Sequence, residues 1–484
     1  MASKETTGHK VIPITALSMG DAGGATVSMY VAHEKIYPRS VTGYFSKWRW
    51  VTVFLTQLVF YGLPWLEWGQ RQAVLFDLGA RRFYIFGLVL YPQDFIYLSG
   101  LLVVSALSLF LFTAVAGRLW CGYACPQTVY TEIFLWLEKL AEGDRSARMR
   151  RDAQPWSYAK LWRKSLKHFL WIAVALWTGF TFVGFFTPIR ELGLAVARFD
   201  LGPSEFFWVG FYGFATYGNA GFMREQVCKH MCPYARFQSA MFDKNTLIVT
   251  YDAERGEPRG SRPRNADPAA LNLGACTDCT LCVQVCPTGI DIRKGLQYEC
   301  IGCGACADVC DTVMDKMGYA RGLVKYSTQN ALKQHWTKPQ ILRRVLRPRV
   351  LVYSAILGAI VVAMLVSLFL RTPFKVDVVR DRGVVARLVA GGNFENVYRL
   401  QIMNATESDQ RFKISVSGLP GLPGLSLTSD SEAQVDATQS RWVAVRLRLP
   451  ADGAPVGSHA IQFEIDSLSG VGHVTEKSVF IVPR

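Results

Sequence analysis

The 484-residue sequence predicts a polytopic α-helical membrane protein that carries a cysteine-rich insert and ends in a β-sandwich. Half of the residues are apolar and 13% are aromatic, and apolar segments long enough for helices recur along the chain. All twelve cysteines lie between Cys121 and Cys310, and after Phe374 apolar and polar residues alternate. An apolar helix of about 20 residues can cross a bilayer, whereas a period of two residues is typical of strands.

The formal net charge of +15 restricts the classes of partner. In a soluble protein this excess would suggest nucleic acid, but no aromatic and basic constellation of the RNA-recognition or helix-turn-helix kind is present. Nucleic acid is therefore rejected as a partner. In a membrane protein, the same charge is expected on loops that face the cytoplasm and anionic lipid headgroups.

Five apolar segments are candidate transmembrane spans, at 50–68, 95–115, 168–186, 206–222 and 350–370. The loop after the second span carries eight Lys and Arg residues between Arg145 and Lys167, which places it in the cytoplasm. The N-terminus is then cytoplasmic, and the chain after Arg371 is periplasmic. A run from Phe83 to Tyr91 is too short to span and is interpreted as an interfacial or re-entrant piece.

The densest cysteine pattern predicts two [4Fe-4S] clusters. A CxxCxxCxxxC run occurs twice, and in two-cluster ferredoxins the fourth cysteine of each run serves the other cluster. The predicted ligand sets are Cys276, Cys279, Cys282 and Cys310 for the first cluster, and Cys300, Cys303, Cys306 and Cys286 for the second. Structural zinc sites usually pair two CxxC arms across a longer gap, and disulfides are rare in a reducing compartment, so both alternatives are disfavoured.

Two further cysteine pairs, each followed by proline, are candidate catalytic residues: Cys121 with Cys125, and Cys228 with Cys232. Each pair follows an even-numbered span and is expected at the cytoplasmic membrane face. Residues four apart share a helix face, but the proline also allows a loop that opens a helix. Cu(I) ligation, a dithiol–disulfide couple and a further cluster all stay open, with His230 as an added copper candidate. The structural alternative is four buried side chains.

The segment after the fifth span predicts an immunoglobulin-like β-sandwich of about 110 residues. Alternating patterns occur at 397–403, 412–416, 442–449 and 461–465, separated by Gly, Pro, Asn and Asp clusters. No cysteine lies in this region, so packing alone is expected to hold it. The triplet from Asn404 to Thr406 matches a glycosylation acceptor and is interpreted as a coincidence.

These predictions give a polytopic α-helical membrane protein of about five spans, with an inserted two-cluster ferredoxin-like domain and a C-terminal immunoglobulin-like β-sandwich. The predicted parts are a flexible cytoplasmic tail (1–45), a four-helix membrane core with both CxxxCP motifs (46–250), the cytoplasmic ferredoxin-like domain (251–330), a linker with the fifth span (331–371), and the periplasmic sandwich (372–484).

The run from Gly117 to Thr128, the motif from Cys228 to Pro233, the doubled cysteine insert and the C-terminal domain together resemble the FixG/RdxA/CcoG family of cytochrome c oxidase accessory proteins. The likeness covers nearly the whole chain. It implies a bacterial inner-membrane protein that reduces Cu(II) to Cu(I) for assembly of a cbb(3)-type oxidase. The implied partners are a cytoplasmic electron donor, a copper transporter or chaperone, and oxidase assembly factors.

Two other functions remain as hypotheses. The paired motifs are also similar to membrane quinol dehydrogenases of the NapH and NosR kind, which would pass electrons from quinol to a partner. A non-redox copper-delivery scaffold, with the β-domain docked on the oxidase assembly, is the third. The electron donor, the partner of the β-domain and the oligomeric state, a homo-oligomer included, are not specified by the sequence.

Overall fold

The computed structural model describes residues 35–268, 270–381, 383, 386–389, 391–418, 422–453, 455–470 and 472–483. The predicted tail at 1–45 lies largely outside this part of the chain. Within it, three helices are long and apolar enough to cross a membrane: Pro92–Ala116, Tyr158–Val183 and Pro348–Phe369. They overlap the second, third and fifth predicted spans. The five-span topology stays a prediction.

The first half of the chain contains both long and short helices. They are α1 (Tyr44–Gly62), α2 (Phe95–Ala116), α3 (Leu119–Tyr123), α4 (Pro126–Glu142), α5 (Arg145–Ala153), α6 (Tyr158–Val183), α7 (Ile189–Ala197), α8 (Pro203–Thr216) and α9 (Pro233–Met241). Two π-helical segments, Tyr217–Met223 and Val227–Met231, lie between α8 and α9. Helices α6 and α8 pack closely, because a Cβ on Gly179 would lie 2.4 Å from the Val209 carbonyl oxygen. Such small-residue contacts are typical of helix packing in membranes.

A small β-region connects α1 to α2. Its strands are β1 (Glu67–Trp68), β2 (Arg71–Gln72), β3 (Val74–Asp77), β4 (Arg82–Ile85) and β5 (Leu88–Leu90). Strands β3, β4 and β5 form one antiparallel sheet, so the run from Phe83 to Tyr91 is a hairpin rather than a re-entrant piece. Its buried face, with Tyr84 and Val89, packs against Met403 of the C-terminal domain.

The cysteine-rich insert is closed by two strands that are distant in sequence. Strand β6 (Ile248–Tyr251) pairs antiparallel with β7 (Val324–Ser327). Between them lie α10 (Ala253–Gly256), α11 (Leu281–Gln284) and α12 (Ala305–Met317). Val249, Met314 and Leu323 are among the buried residues at the centre of this domain. The pairing of β6 with β7 therefore brings the two ends of the insert together.

After the insert come α13 (Gln329–Lys333), α14 (Lys338–Arg343) and α15 (Pro348–Phe369). Helix α15 packs antiparallel to α2, since Arg347 donates to the Ala114 carbonyl at one end and Tyr97 donates to the Ser367 carbonyl, at 3.1 Å, at the other. A 22-residue helix is about 33 Å long. The insert and the C-terminal domain therefore lie at opposite ends of this helix pair.

The C-terminal domain is an immunoglobulin-like sandwich of two antiparallel sheets. Its strands are β8 (Phe374–Arg380), β9 (Arg387–Val389), β10 (Asn393–Asn404), β11 (Gln410–Gly418), β12 (Ser426–Leu427), β13 (Glu432–Val435), β14 (Ser440–Pro450), β15 (Gly457–Ser467) and β16 (His473–Val482). One sheet has the order β12-β14-β10-β8, with β9 added to β10, and the other has the order β13-β11-β15-β16. Tyr398 and Phe463 meet edge-on at 5.1 Å in the core between the sheets.

Asn404 is fully buried in this domain, and its side-chain amide donates to the Ser408 carbonyl at 2.8 Å. Its carboxamide oxygen accepts from the Thr406 backbone N–H at 3.0 Å. A glycan requires an exposed side chain. The burial of Asn404 therefore agrees with the interpretation of this triplet as a chance match.

A buried carboxylate fastens the C-terminal domain to the start of α2. Asp94 is 3% exposed, accepts from Arg371 at 2.7 Å and also pairs with Lys375. We expect Asp94→Asn to destabilise this junction by about 2 kcal/mol, less than the 3–5 typical of fully buried pairs because Lys375 is a quarter exposed. Hydrogen exchange of residues 371–376 should accelerate. The control is Asp377→Asn, which removes the charge of an exposed carboxylate that accepts a hydrogen bond from Gln93; equal exchange in both variants would contradict the prediction.

Candidate functional site

The eight cysteines of the insert line two adjacent cavities. The first cysteine cavity is lined by Cys276, Cys279, Cys282 and Cys310. The second cysteine cavity is lined by Cys286, Cys300, Cys303 and Cys306, with Cys282 at its boundary with the first. All eight are free thiols rather than disulfides. The structure thus brings together the same two sets that the ferredoxin pattern predicts, and the residues fit two four-thiolate groups.

Helical spacing explains how one run serves both cavities. Cys306 and Cys310 lie one turn apart on α12, about 6 Å along its axis, and face the second and first cavities respectively. Helix α12 begins directly after Gly304, whose φ of +74° is easily adopted only by glycine. A Cβ there would also lie 2.7 Å from the Phe45 ring. The position of α12 and of its cysteines therefore depends on a tight turn that glycine permits.

These thiols are not readily ionised on their own. Burial raises the pKa of Cys300 to about 12 and that of Cys310 to about 12. Burial also raises the pKa of Cys282 to about 11, although the nearby guanidinium of Arg293 opposes this effect. Metal ligands must be thiolates, so a bound metal group would supply the positive charge that these sites lack.

Both CxxxCP motifs have the same local construction. Cys125 directly precedes α4 and Cys232 directly precedes α9, and in each case proline is the first helical residue. Proline suits this position because its missing N–H would have no helical partner. The first cysteines differ, since Cys121 lies on α3 whereas Cys228 lies in a π-helical segment. The pattern is therefore a loop that opens a helix, not one face of a continuous helix.

The four cysteines of these motifs come together from segments about a hundred residues apart. Burial, together with smaller effects of the charges of Cys125, Cys121 and Cys232, raises the pKa of Cys228 to about 12. Burial likewise raises the pKa of Cys121 to about 11. The Cys121 thiol donates to Gln238 Oε1 at 3.3 Å, and Gln238 is fully buried. We call these four residues the thiol cluster.

Buried ion pairs fix the segment that carries the second motif. Arg224 lies between the two π-helical segments and donates to Glu138 Oε2 at 3.0 Å. Arg148 donates to the same oxygen at 2.7 Å, and Glu138 is 1% exposed. Gln127 adds a link from the first motif, donating to the Arg224 carbonyl at 3.1 Å. The two motifs are therefore held in one framework.

His230 is placed differently from the four thiols. It is exposed on the π-helical segment, as is Met231, whereas the thiol cluster is partly buried. In the described part of the chain, no three Cys, His, Asp or Glu side chains, the four thiols included, form a ready-made site for a single metal ion. The structure thus does not bring His230 into a preformed copper site, and its role stays a prediction.

The thiol cluster packs directly on the second cysteine cavity. Cys121 and Cys228 contact the apolar group around Val285, Ile301 and Cys303. A Cβ on Gly122 would lie 2.8 Å from the Gly302 carbonyl oxygen and 3.0 Å from the Cys303 Cα. The hydroxyl of Tyr326 donates to the same Gly302 carbonyl. The first CxxxC motif and the loop of the second cavity are thus in backbone contact.

Two residues of this contact are not singled out by the sequence patterns: Gly122, and Arg118, whose carbonyl group lies beside Gly302. Both lie within the quoted run around Cys121, but no local pattern shows that Gly122 meets the insert. Nor does the sequence show that the Arg118 side chain is only 4% exposed. The one signal in the sequence for a role of Gly122 or Arg118 is its proximity to Cys121.

We expect Gly122→Ala to disturb this contact although alanine favours helix by about 1 kcal/mol over glycine. The added methyl meets backbone atoms that cannot rotate away, and such overpacking costs about 1–3 kcal/mol. Iron per chain and the EPR line shape of the reduced protein should both change. Gly210→Ala is the matched control, because the Cβ there has open space. Unchanged iron and EPR in the Gly122 variant would show that the contact is loose.

Family comparisons assign iron–sulfur regions to all twelve cysteines. A 4Fe-4S dicluster domain matches residues 223–329, and a 4Fe-4S binding domain matches residues 98–142. The C-terminal region matches the IG-like fold at the C-terminal of FixG over residues 364–483. Iron–sulfur chemistry and the immunoglobulin-like fold are therefore supported independently of the cavities.

Relatives extend the likeness to most of the chain. The nitrogen fixation protein FixG of Rhizobium meliloti is 37% identical over 84% of this chain and 85% of its own. Protein RdxA of Cereibacter sphaeroides is 36% identical over 88% of this chain and 92% of its own. The ferredoxin-type protein NapH of Haemophilus influenzae is 24% identical over 44% of this chain and 66% of its own.

Proposed function

The chain belongs to the FixG family of iron–sulfur proteins, with RdxA and RdxB as further members, and from this premise we propose that it reduces Cu(II) to Cu(I) for assembly of a cbb(3)-type oxidase. An electron-transfer role follows from its family and its iron–sulfur regions. The observation that carries the proposal is the backbone contact between the first CxxxC motif and the second cysteine cavity. This contact gives electrons a route out of the insert.

The exposure of the cysteines supports one direction of flow. Cys279 of the first cavity is exposed and accessible to a soluble donor, whereas Cys303 of the second cavity is buried. A [4Fe-4S] cluster bound at each cavity would carry single electrons. Electrons would therefore enter beside Cys279, pass the second cavity and leave through the thiol cluster.

The thiol cluster suits copper as the electron acceptor. Thiolate is a soft ligand that binds Cu(I) more tightly than Cu(II), so binding there favours the reduced ion. One electron from the insert and one Cu(II) give one Cu(I). Cys121, Cys125, Cys228 and Cys232 would hold the copper, with exposed His230 as a capture residue at its rim.

The location and partners belong to the same proposal. The basic loop after α4 supports a cytoplasmic side for the insert in a bacterial inner membrane, and with it a periplasmic immunoglobulin-like domain. The donor would be cytoplasmic. A copper transporter or chaperone would accept Cu(I), and oxidase assembly factors would meet the outer domain.

The test is anaerobic purification in detergent, reduction with dithionite, removal of the excess, and EPR before and after Cu(II) addition. Loss of the reduced-cluster signal together with stoichiometric Cu(I), detected by a chelating dye, is the expected result. Clusters that stay reduced in the presence of Cu(II) would refute the proposal of copper reduction. A chain that binds Cu(I) without ever reducing Cu(II) would instead be a delivery scaffold.

A cavity between α1 and α4 favours quinol oxidation as the second candidate. Its wall combines the aromatic residues Trp50, Phe54 and Trp136 with the Arg49–Glu132 ion pair, whose atoms lie 2.5 Å apart. It reaches Val285 and Pro287, on either side of Cys286. A quinol bound there would be oxidised to the quinone by releasing two electrons toward the second cavity and two protons, one to Glu132 and the other to the solvent that reaches the cavity. Reduction of the oxidised clusters by a soluble quinol analogue would support this function; clusters that stay oxidised would exclude it.

A further inference from the structure

A buried arginine lies where the two CxxxCP motifs and the insert meet. Arg118 directly precedes α3 and is 4% exposed. Its guanidinium donates to the Ala235 carbonyl in α9, the helix that begins after Cys232. The Arg118 side chain thus connects the helix bearing Cys121 to the helix opened by Cys232.

The backbone of Arg118 also touches the insert. A Cβ on Gly302 would lie 3.3 Å from the Arg118 carbonyl carbon and oxygen. Gly302 lies between Cys300 and Cys303 in the loop of the second cysteine cavity, and Arg118 lies three residues before Cys121 of the thiol cluster. One buried cation therefore lies beside both centres.

This arginine differs from the other buried arginines nearby in its counter-charge. Arg49 pairs with Glu132, and Arg148 pairs with Glu138. Across residues 35–483, as far as they are described, no carboxylate forms an ion pair with Arg118, and its Nε is buried without a hydrogen-bond partner. An uncompensated buried charge is strongly unfavourable. The cysteine sulfurs of the two centres become anionic when they hold a metal group, and can then compensate it.

We propose that Arg118 is the counter-cation shared by the thiol cluster and the second cysteine cavity, and that its charge raises the reduction potential of the metal centre in that cavity. Each arriving electron adds negative charge, which a nearby cation stabilises in a low-dielectric setting. Arg118 is thus a positioning residue that acts through the cysteines. The inference rests on the proposed electron route but does not require copper as the acceptor.

The test compares Arg118→Gln, Arg118→Lys and the wild-type chain by EPR-monitored redox titration without copper. We expect Arg118→Gln to lower the equilibrium constant for one-electron reduction of the second centre at least tenfold, a shift of about 59 mV. Arg118→Lys keeps the charge and should stay within a few-fold of wild type. The control is Arg349→Gln, which removes a partly exposed cation at the start of α15 and should leave the potential unchanged.

An unchanged potential in Arg118→Gln at full iron content would overturn the proposal. If Arg118→Gln loses its iron, Arg118→Met decides between charge and packing. If the charge matters, Arg118→Lys should keep the iron content and the reduction potential of the wild-type chain. If Arg118→Met keeps them and Arg118→Lys does not, the proposal is refuted. Because these titrations contain no copper, a failure of copper reduction would not be confused with a failure of this inference.

Discussion

Serine in place of Cys121 is expected to remove copper reduction while the insert keeps its iron. A hydroxyl oxygen is a hard, neutral ligand and holds Cu(I) poorly compared with a thiolate. Even changes outside the ligand shell typically cost about 10–100-fold in metal affinity or activity, so loss of a ligand should cost at least about 100-fold. The measurement is the rate of Cu(I) formation from the reduced protein, with iron per chain determined on the same sample.

Cys125→Ser, Cys228→Ser and Cys232→Ser should behave alike, because the four thiols form one cluster. Met231→Leu is the control, since it changes the sulfur beside Cys232 at nearly constant volume and Met231 is exposed. Copper reduction at the wild-type rate in the Cys121 variant would refute the catalytic assignment. Loss of about one cluster's iron would instead show that the thiol cluster itself holds a cluster.

The insert could be predicted from the sequence because its ligand spacing is local. Cys306 and Cys310 are one helical turn apart, so their distribution between two cavities follows from the rise of a helix. The proximity of Cys121 to Cys228, by contrast, does not follow from local spacing. The sequence places both pairs at one membrane face, but their convergence depends on the packing of α4, the π-helical segments and the Glu138 ion pairs.

Elements without a strong periodicity of apolar residues are harder to predict from the sequence. The strands between α1 and α2 are two to four residues long, and so short an alternation cannot be distinguished from an interfacial apolar run. Strand β10 has twelve residues and a clear period of two, and its pattern was recognised. Contacts such as Gly122 with Gly302 arise only when separate domains pack, so no local pattern indicates them.

Removing the charge of Glu138 should be the most destabilising single change in the framework of the thiol cluster. Both Arg148 and Arg224 donate to one oxygen of this carboxylate, and Glu138 and Arg148 are at most 4% exposed. Glu138→Gln keeps the shape but leaves two guanidinium groups without their counter-charge. Breaking a buried ion pair from one side typically costs about 3–5 kcal/mol.

The outcome separates stability from chemistry, because these two ion pairs of Glu138 involve none of the four thiols and connect to the segment of Cys228 through Arg224. Thermal unfolding in detergent should shift markedly downward for Glu138→Gln. It should barely move for Glu254→Gln, whose carboxylate is 74% exposed and pairs with His335 at 3.7 Å. Below the unfolding temperature, Glu138→Gln should lose copper reduction before it loses iron, since the insert has its own core around Val249 and Leu323. Equal unfolding temperatures for the two variants would mean that other contacts hold the second motif in place.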